Sequence, residues 1–267
     1  MTRHFNTLAM AGALTLAMSG GSAFAAGFVN GGFEDGNTGG WTIGGGSRTS
    51  VTNAGLDADD FLPGGSRYNA GIAGSHSAVI SAGTVDPRVG AALGSTVYSG
   101  NYSLRVEDVS TGGYASVASQ TVLNYTDANI FFAWKAVMLG AHGPDDAATM
   151  IIKLTDLTTG TDIITREYNA GNNGGGVDSR FSLLNNNYYT ADWQIEQLAI
   201  DASLSGHDFV LSVLAADCSP TAHWGYVYLD GFGAVIPPVG VPEPASMALF
   251  GAGLLGLAAI RRRRKAA

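Results

Sequence analysis

The amino-acid sequence predicts an all-β fold, an antiparallel β-sandwich, with one apolar segment at each end of the chain. Glycine accounts for 38 of the 267 residues, and helical periodicity is scarce outside the two termini. About ten short apolar or alternating runs lie between clusters of Gly, Asn, Asp and Ser. Runs of this length and spacing are typical of strands in two packed antiparallel sheets.

The first apolar segment, residues 1–25, is predicted to be a secretory signal peptide. Arg3 precedes an apolar stretch from Leu8 to Met18, and Ala23-Phe24-Ala25 provides small residues for cleavage. The apolar stretch is too short for a stable membrane span. We therefore expect this signal helix to be removed on export, which leaves an ectodomain over residues 26–236.

Short turns separate the predicted strands of the ectodomain. Leu157–Thr161 has the composition of a hairpin turn. Two long stretches, 36–75 and 170–187, are rich in Gly, Asn and Ser and are predicted to be irregular loops, which are often functional. The main predicted strands are Tyr102–Val109, Tyr114–Leu123, Ile130–Met138, Met150–Asp156, Asp162–Tyr168, Trp193–Ile200, Phe209–Leu214 and Tyr226–Val235.

The ectodomain is acidic. It holds 8 of the 14 basic and 21 of the 22 acidic residues, so its formal charge is near −13, against −8 for the whole chain. Such a surface repels nucleic acid, so no nucleic-acid partner is expected, and it offers many carboxylates to divalent cations. Cys218 is the one cysteine of the chain, which excludes an intramolecular disulfide.

The C-terminal tail has three parts after a linker at residues 237–241. Prolines are expected to keep the first part, Pro242-Glu243-Pro244, extended and exposed. Residues 245–260 carry no charge and no proline, and they are predicted to form a transmembrane helix of about 24 Å, short of the usual ~30 Å membrane core. A basic cluster then holds the C-terminus in the cytoplasm. It consists of Arg261, Arg262, Arg263, Arg264 and Lys265.

This order of parts, over residues 242–267, resembles the PEP-CTERM sorting signal. The resemblance implies cleavage near Pro242–Pro244 by an exosortase, a membrane transpeptidase of Gram-negative bacteria that make exopolysaccharide. The protein would be exported, held transiently in the inner membrane, and then released to the cell surface or the extracellular matrix. A plain C-terminal membrane anchor is the alternative.

Several ectodomain motifs resemble the galactose-binding-like jelly rolls of carbohydrate-binding modules. They are Asn30–Gly36, Gly40-Trp41, Gly100–Val106, Ala118–Val122 and Trp224–Phe232. The resemblance implies a jelly-roll sandwich with a structural Ca²⁺ where the first and last strands meet. It assigns Glu34 and Asp230 as calcium ligands, with Asp35 as a further candidate. Such modules often carry a second acidic residue where this chain has Gly231. The alternative is that Glu34 and Asp230 cap turns.

Four aromatic residues are candidates for stacking on the sugar rings of a polysaccharide. They lie in or beside polar loops, where an exposed ring meets the apolar face of a sugar and neighbouring amides meet its hydroxyls. The alternative is that these rings close the ends of the sandwich core. The four are Trp41, Tyr68, Tyr188 and Tyr189.

Two loops carry histidines that the fold would have to bring together before they cooperate. His142 follows a predicted strand, and His223 lies five residues after Cys218. With Asp145 or Asp146 of the first loop, they would form a cluster of two imidazoles, a carboxylate and a thiol, whereas the alternative is two unrelated surface loops. The sequence contains no G-x-S-x-G elbow, H-E-x-x-H helix or phosphate-binding loop.

The sequence therefore predicts a secreted, non-catalytic carbohydrate-binding protein of the cell surface or exopolysaccharide matrix. Two alternatives stay open. One is a structural adhesin or matrix protein that binds other proteins or itself, with Cys218 as an intermolecular cross-link. The other is a secreted hydrolase that uses His142 and His223.

Overall fold

Twelve β-strands and three short α-helices are present in residues 27–237, the part of the chain that the computed structural model describes. The helices are α1 (Ala58–Phe61), α2 (Ala70–His76) and α3 (Gly171–Gly174). The strands are β1 (Thr42–Ser47), β2 (Ala78–Ser81), β3 (Tyr102–Val106), β4 (Tyr114–Tyr125), β5 (Asn129–Leu139), β6 (Thr149–Asp156), β7 (Thr161–Asn169), β8 (Phe181–Leu184), β9 (Asn187–Thr190), β10 (Gln194–Ala199), β11 (His207–Ala216) and β12 (Gly225–Gly233).

The strands form two antiparallel sheets. One sheet has the order β1-β4-β11-β6-β7, and the other has the order β2-β3-β12-β5-β9-β8, with β10 paired to β5 beside β9. Strand β12 lies inside the larger sheet, between β3 and β5. The predicted all-β antiparallel sandwich is confirmed.

The main core lies between the two sheets. Strand β5 is nearly all apolar, and its inward residues Phe132 and Trp134 pack with Leu211 and Val213 of the facing sheet. Inward positions alternate along each strand, as face-to-face sheet packing requires.

The outer face of the five-stranded sheet is partly covered by the segment that contains α1 and α2. Phe61 of α1 packs on Val117 and Leu214. Three consecutive glycines in β1, Gly44–Gly46, permit this approach. A Cβ on the last of them would overlap the carbonyl oxygen of Arg67. A loop on the other side of the sandwich covers the larger sheet.

That loop, residues 82–99, is fixed by a buried carboxylate. The hydroxyl groups of Tyr226 and Tyr228, on the outer face of β12, donate to Asp86 at 2.9 Å. Val89 and Leu93 of the same loop join them in a separate apolar cluster. No sequence pattern indicated this covering loop.

The two stretches predicted to be irregular contain regular structure, so those predictions are wrong in part. Residues 36–75 include β1, α1 and part of α2, and residues 170–187 include α3 and β8. The glycines of β1 weaken its strand signal. The β8–β9 hairpin turns on Asn185 and Asn186, whose φ values of 48° and 63° are typical of a type I′ turn.

Within residues 27–237, no helix combines the length and apolar character that a membrane crossing needs. The predicted signal helix at 1–25 and the predicted transmembrane helix at 245–260 lie outside these residues. The Pro-Glu-Pro segment and the basic cluster lie outside them as well.

Candidate functional sites

The first candidate site joins the start of the described chain to the end of β12. The backbone N–H of Phe232 donates to the carbonyl oxygen of Gly31 at 2.9 Å. A Cβ at position 31 would overlap the carbonyl oxygen of Phe232, so only glycine permits this close approach. The turn that carries Glu34 is therefore fixed against the last strand, which carries Asp230.

Both carboxylates bind the same short loop before β3. The Oδ2 atom of Asp230 accepts the backbone N–H groups of Tyr98 at 2.9 Å and Ser99 at 3.1 Å. The Oε1 atom of Glu34 accepts those of Asn101 and Tyr102, each at 3.0 Å. Both carboxylates thus cap a turn, as the alternative interpretation expected.

One carboxylate oxygen in this site has no hydrogen-bond partner among the described residues. It is Oδ1 of Asp230, which is fully buried. Burial raises the pKa of Asp230 to about 8; the amides of Ser99 and Tyr98 oppose the shift, and the charge of Glu34 adds to it. Asp35, the further ligand candidate, is exposed to solvent. The calcium assignment stays a prediction.

Three of the four aromatic candidates belong to the core, so their prediction as an exposed platform is wrong. Trp41 is 8% exposed and packs on Phe232 with ring centroids 4.5 Å apart, and Tyr188 and Tyr189 are each 9% exposed. A Cβ at Gly140 or Gly174 would overlap the ring of Tyr188. These glycines therefore leave room for the ring in the core, and they do not mark an exposed loop.

The fourth aromatic candidate, Tyr68, is half-buried and lines a cavity of about 300 Å³ beside β1. The floor includes Ile43 and Ala73, and Ser77 contributes a buried hydroxyl with no hydrogen-bond partner in the described part of the chain. The cavity thus offers an aromatic ring and apolar side chains, with an enclosed hydroxyl in its wall. Its lining residues are Thr38, Ile43, Tyr68, Ala70, Ala73, Gly74 and Ser77.

The second cluster precedes the start of β12, where the two histidine loops meet. Nε2 of His142 lies 3.1 Å from Nδ1 of His223, and Sγ of Cys218 lies 3.2 Å from the same nitrogen. The three ligand atoms all lie within 4.8 Å of one another. The backbone N–H of Ser219 donates to the carbonyl oxygen of Asp146 at 2.9 Å and ties the loops together.

The groups in this cluster differ in exposure. Cys218 is buried, His223 is half-buried, and His142 is exposed. Burial lowers the pKa of His223, and the neighbouring His142 lowers it further, so the imidazole is neutral at pH 7. Since its sulfur is enclosed, Cys218 is poorly placed for an intermolecular disulfide or for attack on a substrate.

A buried arginine, which the sequence analysis missed, supports the loops of this cluster. The guanidinium of Arg48 donates to the carbonyl oxygens of Ala147 and Asp217 and to the side chain of Asn53. Burial lowers its pKa to about 10, which leaves it charged at neutral pH. No sequence pattern distinguishes this arginine from an exposed one.

The sorting signal predicted at the C-terminus is confirmed by comparison with protein families. Residues 240–264 match the family described as "PEP-CTERM protein-sorting motif". This motif indicates an exported protein with a C-terminal sorting signal. No curated protein matches the chain.

Among solved structures, the fold is similar to carbohydrate-binding modules. TmCBM61, solved with β-1,4-galactotriose, is 11% identical, with 78% of this chain and 97% of that chain covered and a TM-score of 0.41. CBM28, described as specific for non-crystalline cellulose, is 12% identical, with 79% and 96% covered and a TM-score of 0.39.

An enzyme domain is also among the similar structures. The enzymatically active domain of bacteriophage CBA120 tailspike protein 4 is 11% identical, with 78% of this chain and 21% of that chain covered and a TM-score of 0.37. These likenesses concern the two-sheet sandwich alone, because sequences this dissimilar do not assign individual site residues.

Proposed function

We propose that this protein is exported, is processed by an exosortase at its C-terminal motif, and binds polysaccharide at the cell surface or in the extracellular matrix without catalysing a reaction. The observation that carries the binding proposal is the cavity beside β1. There Tyr68 offers a half-buried ring beside apolar side chains. The hydroxyl of Ser77, which has no partner among the described residues, lies enclosed in the cavity wall.

The chemistry of the cavity favours a neutral glycan. Its seven lining residues are all uncharged. The predicted ectodomain carries 21 acidic against 8 basic residues, so a polyanion such as a uronic-acid polymer would be repelled. A cavity of about 300 Å³ is at the small end of ligand sites, which suits a short segment of a longer chain. Avidity from many copies would strengthen such weak single contacts.

The adhesin alternative receives less support from the geometry. It relies on Cys218 as a cross-link, and this side chain is 0% exposed. A disulfide between two copies would require the loop between β11 and β12 to open.

A glycan array tests the binding proposal. The full chain, purified in mild detergent, is compared with Tyr68→Ala, Tyr68→Phe and, as a control at an exposed apolar position elsewhere, Leu123→Ala. We expect binding to a neutral polysaccharide, a loss of about fivefold in Tyr68→Ala, and little change in the other two, since one stacking contact contributes roughly 1 kcal/mol. Absence of glycan binding, or unchanged binding in Tyr68→Ala, would overturn the proposal.

We also propose a structural Ca²⁺ bound by Glu34 and Asp230. Support comes from the buried Oδ1 of Asp230, which has no partner among the described residues and is an oxygen of the kind that Ca²⁺ prefers. The ion would offset the repulsion between the two carboxylates. Melting temperature with Ca²⁺ and with a chelator, in the wild type and in Asp230→Asn, tests this proposal. Equal melting temperatures in the wild type would contradict it.

A further inference from the structure

We propose that Cys218, His142 and His223 form a binding site for a transition-metal ion, with Zn²⁺ as the expected occupant. The three residues come from two loops, and their ligand atoms converge within 4.8 Å. This inference is independent of the glycan-binding and calcium proposals, which concern other parts of the molecule.

The separations between the ligand atoms suit a tetrahedral metal. Ligands at about 2.3 Å (sulfur) and about 2.0 Å (nitrogen) from a tetrahedral Zn²⁺ lie about 3.5 Å (S···N) and about 3.3 Å (N···N) from one another. The corresponding separations here are 3.2 Å from Cys218 Sγ to His223 Nδ1 and 3.1 Å from His142 Nε2 to the same nitrogen. Both separations are within about 0.3 Å of the tetrahedral values, and the third pair, Cys218 Sγ and His142 Nε2, lies within 4.8 Å.

Hydrogen bonding alone does not account for this convergence. A ring nitrogen of a neutral histidine makes one in-plane hydrogen bond, as donor or as acceptor. Nδ1 of His223 is nevertheless approached by both His142 and Cys218. A metal ion resolves the conflict, because it accepts one lone pair from each of the three atoms.

The surroundings of the sulfur also fit a metal-bound thiolate. The backbone N–H groups of Ala222 and His223 both point at Sγ of Cys218, each at 3.2 Å. A negatively charged sulfur readily accepts hydrogen bonds from such amides. Because His142 is exposed, the ion has a route from solvent, and a fourth position remains for water or another ligand.

The ligand types decide the class of metal. A thiolate and two imidazoles suit zinc and copper, whereas Ca²⁺ and Mg²⁺ require oxygen ligands. Zinc is the first expectation because it is redox-inactive and can occupy a thiolate site without oxidising it. A bound ion would also shield the one cysteine of an exported protein from an oxidising environment.

The test uses the untagged full chain in mild detergent, since a polyhistidine tag binds the same metals. The protein is stripped with a chelator, dialysed, and titrated with Zn²⁺, Co²⁺ or Cu²⁺. Metal content is measured by mass spectrometry, and thiolate coordination is measured by the sulfur-to-cobalt charge-transfer absorption. The variants are Cys218→Ser and His142→Gln. The control is His207→Gln, which removes a histidine at the opposite end of β11.

We expect one Zn²⁺ per chain in the wild type and in His207→Gln. Cys218→Ser should lose the charge-transfer band, and His142→Gln, whose side chain is exposed and tolerates replacement, should bind Zn²⁺ at least tenfold more weakly. Zinc binding by His142→Gln as tight as that of the wild type, or cobalt binding without the band, would overturn the site. Uptake of Cu²⁺ but not Zn²⁺ would overturn the assignment of zinc.

Discussion

Strand β12 has a polar cluster near each end, and the two clusters use their polar groups differently. Near its end, Asp230 and Glu34 accept four backbone N–H groups of one loop. Before its start, Cys218, His142 and His223 direct their ligand atoms at one another. The carboxylates of the first cluster already accept hydrogen bonds that hold the chain in place. The nitrogen and sulfur atoms of the second cluster are still able to coordinate a metal ion. Loss of the first should therefore reduce stability, and loss of the second should reduce binding.

The largest expected effect is a fall in stability as pH rises. Burial raises the pKa of Asp230 to about 8, from about 3.9 in an unfolded chain. The folded state therefore holds a proton that the unfolded state releases. The stability from this proton is fully present below about pH 4 and is lost as pH rises towards 8, on the order of a few kcal/mol.

Urea unfolding at pH 5, 7 and 9 measures this dependence. Asp230→Asn, which cannot ionise, should lose less stability over the range. Asp217, whose pKa burial also raises to about 8, should account for part of the remaining decline. Added Ca²⁺ should oppose the loss in the wild type if Asp230 binds it, because the ion favours the carboxylate. An identical pH dependence in wild type and Asp230→Asn would contradict the assignment.

Removal of the Asp230 side chain tests its capping role. Asp230→Ala leaves the part-buried amides of Tyr98 and Ser99 without their acceptor, and we expect a loss of about 3 kcal/mol in the free energy of unfolding at pH 7. Asp230→Asn keeps an acceptor oxygen and should lose less than half as much. Urea denaturation measures both. An alanine variant as stable as the wild type would show that this end of β12 does not depend on the carboxylate.

Zinc should stabilise the other end of β12 by mass action. At a free concentration one hundred times its dissociation constant, a ligand that binds only the folded state contributes about 2.7 kcal/mol. We expect that gain in the wild type and most of its loss in Cys218→Ser, measured by urea unfolding with and without Zn²⁺. Equal zinc-dependent gains in the two proteins would place the ion elsewhere.

The sandwich itself was accessible from the sequence, because strands such as β5 carry runs of apolar residues between turn signals. The surroundings of individual side chains could not be predicted from the sequence in the same way. Glycine and asparagine beside Tyr188 indicated an exposed ring, but Gly140 and Gly174 instead make room for it in the core. A local pattern does not distinguish a flexible loop from one in which small residues permit close packing.

Contacts between loops that lie far apart in the sequence are a second feature that sequence patterns do not predict. His142 and His223 lie 81 positions apart, and their meeting depends on β5 and β12 being neighbours in the sheet. Strand order follows from the packing of the whole chain, so the residue types indicated which groups are reactive but not that they meet. The start of the described chain and the end of β12 were easier to place, because the family resemblance implied that the terminal strands lie side by side.

The smallest expected effect gives the sharpest comparison of the two clusters. In metal-free buffer, His142→Gln should change the free energy of unfolding by less than about 0.5 kcal/mol, because the side chain is exposed and its ring contact is replaceable by water. Urea denaturation of His142→Gln and of Asp230→Ala, each compared with the wild type, measures the contrast. A loss above about 1 kcal/mol without metal would mean that His142 holds the loops together in its own right. In that case both ends of β12 would be structural, and the proposed difference between them would disappear.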